Sequence, residues 1–146
     1  MGGKSSRSKG QRGEREAIAI LQPVINEVFT AAGIEPPELK RNLMQTMNGG
    51  YDVVGMEWLA LEIKRQEKAN VKAWWKQTLD QTQDGQTPVL MYRPNRSKWR
   101  IMMPATLIDG VQAAVDIDLD SFLLYFKKRI ERELLIMYPN WGDHHV

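Results

Sequence analysis

The chain has 146 residues, 42% of them hydrophobic and 26% charged, with a formal net charge of +2 and no cysteine. That length suits one domain with its own core. The composition excludes a disulfide framework and thiolate metal sites, and no apolar run approaches the roughly 18 residues of a membrane span. A cytoplasmic protein is expected, or one made in a host cytoplasm. The charge is unevenly placed: Lys4, Arg7, Lys9 and Arg12 precede the first acid, Glu14. Residues 1–13 carry no apolar periodicity and are expected to form a flexible basic arm. Such an arm either follows nucleic-acid phosphates or simply solubilises the chain. The remainder, 14–146, is expected to be one domain, with a core over about 14–103 and a last helix over about 120–137.

From Glu14 to about Ala32, Ile18, Leu21, Ile25 and Val28 recur at helical spacing. Pro23 is expected to interrupt that helix, removing one backbone donor and kinking it there. Glu14 falls on the apolar side of the helix rather than on its solvent side. Gly33 ends the helix and Pro36-Pro37 stiffens the connection. Leu39 to Gln45 reads as a strand that includes Arg41, either a phosphate contact or a surface charge. Thr46 to Gly50 is a polar loop ending in two glycines.

The segment Tyr51 to Lys64 carries the chemistry. Leu59, Leu61 and Ile63 alternate with Ala60, Glu62 and Lys64, the period of a strand, so Glu62 and Lys64 share a face about 7 Å apart along the chain. Folding a hairpin about Glu57 sets Asp52 across from Glu62. Cross-strand Cβ atoms lie about 4.5–5.5 Å apart, close enough for two carboxylates to share a divalent cation.

Asp52, nine intervening residues and then Glu62-Ile63-Lys64 resemble the PD-(D/E)xK nuclease signature, with Tyr51 where proline is usual. The order of Lys9 to Arg15 opening a helix, Arg41 in a strand, this hairpin, and Gln77 in a following helix is similar to archaeal-type Holliday junction resolvases and their phage counterparts. The resemblance covers roughly Lys9 to Arg93. It implies a restriction-endonuclease-like α/β core, a mixed central sheet flanked by helices. It also implies a homodimer acting on four-way or other branched DNA. Asp52 and Glu62 would hold Mg²⁺ (Mn²⁺ substituting), joined by the backbone carbonyl of Ile63 and, in an outer shell, by Glu14. Lys64 would orient the attacking water and neutralise charge at phosphorus. The loop before Tyr51 would sit beside the active site.

Asn70 caps a further expected helix running to about Gln83. Trp74 and Trp75 on it suit core or subunit contacts more than base stacking. Gln77 offers two donors and an acceptor to Lys64 or to a phosphate; Gln81, one turn on, competes for that role. Pro88 to Arg93 and Lys98 to Met103 read as strands about a turn at Pro94 to Ser97. This second hairpin carries Arg93, Arg96, Lys98 and Arg100, expected to line a nucleic-acid groove rather than only to guard an edge. Asp116, Asp118 and Asp120 lack the glycine and closing glutamate of a calcium loop, and one of the last two is expected to cap the final helix. Phe122, Leu123, Phe126, Ile130, Leu134 and Met137 give that helix an apolar face. His144-His145 is too short to argue as a metal site. Two other readings stay open: a nuclease for duplex, flap or single-stranded DNA on the same core, and a DNA-binding module without catalysis.

Overall fold

The computed structural model describes residues 2–43, 52–66 and 68–139. Helix α1 (Gly2–Ala31) leads to strands β1 (Lys40–Arg41), β2 (Val53–Val54) and β3 (Leu59–Gln66). Helix α2 (Val71–Gln81) follows, then β4 (Thr87–Pro94), β5 (Arg100–Ile108), β6 (Val111–Asp118) and helix α3 (Leu119–Met137). The six strands form one sheet in the order β1-β2-β3-β4-β5-β6. Among the described strands β3 and β4 run parallel, and the other neighbouring pairs are antiparallel. The fold is the expected α/β arrangement, a mixed sheet flanked, among the described residues, by three helices.

A parallel pair needs a crossover, and α2 supplies it. Sheet strands covered on both faces read as nearly continuous apolar runs, and β3 and β4 are accordingly buried over most of their length. On one face Leu61, Ile63, Val89, Met91 and Ile101 meet α1 and α3 through Leu21, Ile25, Phe122, Phe126, Ile130 and Leu134. Phe122 and Phe126 stack with centroids 5.6 Å apart, each burying about 1.5–3 kcal/mol worth of apolar surface. On the other face a smaller cluster joins Trp74 of α2 to Leu90 and Tyr92. Trp74 is thus a core residue, one of the two roles expected for it.

Three features depart from the expected elements. The first helix is longer at its start, running from Gly2, because the well-packed turns after Gly13 nucleate it and earlier residues need only propagate. The helix also continues across Pro23. Beside that proline the Gln22 amide donates to the Pro37 carbonyl at 2.9 Å and accepts from the Leu39 N–H at 2.8 Å, tying the helix to the chain that enters β1. Strand β6 was not anticipated. Its signal was present: Asp109-Gly110 is a hairpin turn pair, Gly110 takes φ 76°, and Val111, Ala113, Val115 and Ile117 alternate after it. Asn70 and Asp118 do flank α2 and α3, but neither makes a side-chain cap hydrogen bond. The loop at 46–50 and His144-His145 lie outside the described residues. Among those that are described, no helix is long and apolar enough to cross a membrane.

The turn into β3 depends on Gly55. Its φ is 138°, and a Cβ there would lie 2.7 Å from the Glu38 carbonyl oxygen and 3.1 Å from Leu39 Cα. Both objections to a side chain are backbone contacts that cannot swing away. Gly55→Ala should therefore cost about 2–3 kcal/mol, read as a lower urea midpoint at unchanged slope.

Candidate active site

Strand alternation assigns the two faces of β3. Leu61 and Ile63 point into the larger core, so Glu62 and Lys64 stand on the α2 face beside their β4 neighbours Leu90 and Tyr92. Val53 pairs with Leu61, the register of a hairpin folded about Glu57. The Asp52 N–H donates to the Leu61 carbonyl at 3.0 Å, and the Asp52 carboxylate accepts the Ile63 N–H through Oδ2 at 2.8 Å. That second bond fixes the Asp52 side chain over the middle of β3.

Glu62 is only 2% exposed and Asp52 8%. A carboxylate so deeply placed needs partners. Glu62 Oε1 accepts from Gln77 Nε2 at 3.1 Å and lies 3.5 Å from Lys64 Nζ. Its other oxygen, Oε2, is buried without a hydrogen-bond partner among the described residues. Desolvation, then the charge of Asp52, pushes the Glu62 carboxyl up to about 8; Lys64 opposes this and does not overcome it. Gln77 rather than Gln81 reaches the site, and it steadies Glu62 rather than Lys64.

Helix α1 brings Glu14 to the same end of the sheet. Gly13 makes this possible, because a Cβ there would lie 2.9 Å from Arg65 Cβ, so the helix seats against β3 only with glycine at the contact. Glu14 Oε2 accepts from Arg41 Nε at 2.6 Å. Burial raises the Glu14 pKa, Arg41 lowers it, and the nearby Asp52 charge raises it. Glu14, Arg41, Asp52, Glu62, Lys64 and Gln77 thus form one connected polar group reaching from α1 to α2.

The basic residues are placed less uniformly. Arg93 bonds Glu16 of α1 at 3.1 Å and the Ser97 carbonyl at 2.9 Å. Arg100 is committed to Asp116 at 2.7 Å, and the same carboxylate also takes the Tyr92 hydroxyl; neither engagement was anticipated. Arg96 and Lys98 are exposed in the β4–β5 turn, and Arg12 is exposed on α1. The side chains of Lys4, Arg7 and Lys9 lie outside the described residues. Sequence reading missed Glu16 and Arg65, which meet at 3.4 Å. The available signal was that Arg65 must alternate onto the α1 face, opposite Lys64.

Comparison with known proteins adds the following. The family model described as "Phage putative PDDEXK endonuclease" matches residues 5–138. The solved structure of Archaeoglobus fulgidus Hjc, a Holliday junction resolvase from an archaeal hyperthermophile, is similar with a TM-score of 0.44 and 17% identity, covering 80% of this chain and 88% of that one. No curated protein matches the chain.

The buried carboxylate has a measurable signature. Because the folded-state pKa of Glu62 is raised, its contribution to stability is fully present below the ordinary carboxylate value of 4.5 and is lost as pH rises through about 8. Metal-free protein in EDTA should therefore lose melting temperature across that window, and Glu62→Gln should flatten the loss. An identical pH profile for the variant would assign the titration to another group.

Proposed function

Because the chain belongs to the phage PDDEXK endonuclease family, we propose that it is a Mg²⁺-dependent DNA endonuclease that resolves branched DNA, four-way junctions above all, and works as a homodimer. The observation that carries the catalytic reading is the Asp52–Glu62 pair. Two carboxylates are driven together in a buried place, and one oxygen, Glu62 Oε2, has no hydrogen bond among the described residues. A divalent cation relieves that cost, and its affinity rises with pH as it displaces the proton.

Asp52 and Glu62 would hold the ion with the Ile63 carbonyl, and Glu14 would act from the outer shell. Among the described residues no three acidic or histidine side chains converge. A set this sparse suits Mg²⁺, which keeps several waters and takes phosphate oxygens as ligands. When bound, the ion would acidify water and supply positive charge at the scissile phosphate.

The protein's own side chains carry the remaining roles. The Ile63 N–H orients Asp52, and Gln77 holds Glu62 Oε1. Lys64, partly exposed at the rim of the site, presents an ammonium that donates to the attacking water or to a phosphate oxygen. Arg41 is available to a phosphate next to Glu14. Arg96 and Lys98 in the β4–β5 turn, with Arg12 and the basic segment before it, are assigned to the DNA backbone.

The preference for branched DNA is supported by the order of the motif-bearing elements between Lys9 and Arg93. A two-fold dimer would set two such sites on opposed strands of a two-fold junction. Equal concentrations of immobile junction, duplex, flap and single strand test the substrate, and sedimentation tests the dimer. Preferential cutting of duplex or single strand would move the assignment to a general phage nuclease on the same core.

Asp52→Asn and Glu62→Gln should each lower Mg²⁺-dependent cleavage at least about 100-fold while DNA binding in Ca²⁺ persists. Undiminished turnover in either variant would place the chemistry elsewhere. Lys64→Ala should also slow cleavage, yet calorimetry should still find Mg²⁺ bound, because an ammonium cannot ligate the ion. Loss of the metal isotherm in that variant would contradict the role given to Lys64.

A further inference from the structure

On the α1 face of the sheet, one residue beyond Lys64 in the β3–β4 register, Arg65 and Arg93 are direct neighbours. A single carboxylate joins them. Glu16 Oε1 lies 3.4 Å from Arg65 Nε, and Glu16 Oε2 lies 3.1 Å from Arg93 Nη1. Two guanidinium groups and one carboxylate leave a net positive charge, whereas Arg100 is matched one-to-one by Asp116. All three side chains are within reach of solvent, Arg65 at 18%, Glu16 at 28% and Arg93 at 35% exposure. The arrangement is one oxygen of a planar anion to each arginine, which is also how two arginines grip the non-bridging oxygens of a phosphate.

We propose that Arg65 and Arg93 form a DNA phosphate-binding pair and that Glu16 occupies it in the free protein as a stand-in for the phosphate, yielding the arginines when DNA arrives. The idea rests on the nuclease reading and adds to it a contact set and a built-in brake on binding. Glu16 is well placed for that part. It is anchored on α1, whose approach to β3 is fixed by Gly13 against Arg65, so it is held at the arginines without belonging to their strands. Arg93 also donates through Nε to the Ser97 carbonyl, a second bond separate from its Glu16 contact that would hold the guanidinium in place during the exchange.

The test is a double-mutant cycle on the full chain, titrating junction and duplex binding against salt in Ca²⁺. Glu16→Gln keeps the shape of the side chain and removes its charge; affinity should rise about tenfold, the scale of one charged hydrogen bond no longer competing. Replacing both arginines, as R65Q with R93Q, should make the log–log salt slope shallower by about 0.9, because the pair neutralises one phosphate. In that background Glu16→Gln should bring no gain. Unchanged affinity of the Glu16→Gln variant, or an equal gain without the arginines, would overturn the proposal.

If thermal melts show Glu16→Gln to be unfolded, Arg93→Gln alone decides. It leaves the Arg65–Glu16 pair in place and should reduce the slope by about 0.9; an unchanged slope refutes the phosphate pair. Wild-type protein that neither binds nor cuts any of these DNAs would refute the nuclease reading itself. Binding and cutting without the Glu16 effect would refute only this inference.

Discussion

Glu62 is a carboxylate in the middle of a sheet, and the surrounding structure answers the cost of putting it there. An isolated buried carboxylate would be several kcal/mol unfavourable. Around it the chain places an amide from α2, an ammonium two residues along the same strand, and a second carboxylate, Asp52 just before β2, that worsens the problem rather than relieving it. Two acids held together against their own repulsion are a poor way to stabilise a fold and a good way to attract a cation. The hydrophobic layers on both faces of β3 are what keep the arrangement from opening to water.

Much of this was legible in the sequence because the decisive contacts are local. Asp52 and Glu62 belong to one hairpin, and strand alternation with a turn at Glu57 is enough to set them opposite each other. The two-face pattern of β3, the crossover helix and the apolar face of the last helix likewise follow from periodicity within one element. The connections among charges were not legible. Glu16 meets Arg93 across 77 positions, Glu14 meets Arg41 across 27, and Tyr92 meets Asp116 across 24. No local pattern marks which arginine a given acid will find. Reading Arg93 and Arg100 as unengaged basic residues of a hairpin was therefore natural and incomplete, since each has a carboxylate in contact.

The missing sixth strand has a different cause. The Val111–Ile117 alternation runs into Asp116, Asp118 and Asp120, whose spacing resembles a calcium loop lacking its glycine and closing glutamate. Strand β6 is mostly exposed and lies at the sheet edge, where charged side chains are expected because they discourage pairing with another chain. Asp116 and Asp118 belong to that edge strand, while Asp120 stands in the first turn of α3.

The sheet order has a consequence for how this chain can be altered. Each described strand lies beside the next one in sequence, so no described strand after β4 threads back past β2 and β3, at which the paired acids sit. The Asp109-Gly110 turn is exposed and joins only the last two strands. Residues added there would lengthen an outlying hairpin with no strand needing a new partner near the carboxylates. That turn is the natural place to graft a label, a tether or a second binding module, because the paired acids sit among strands already laid down.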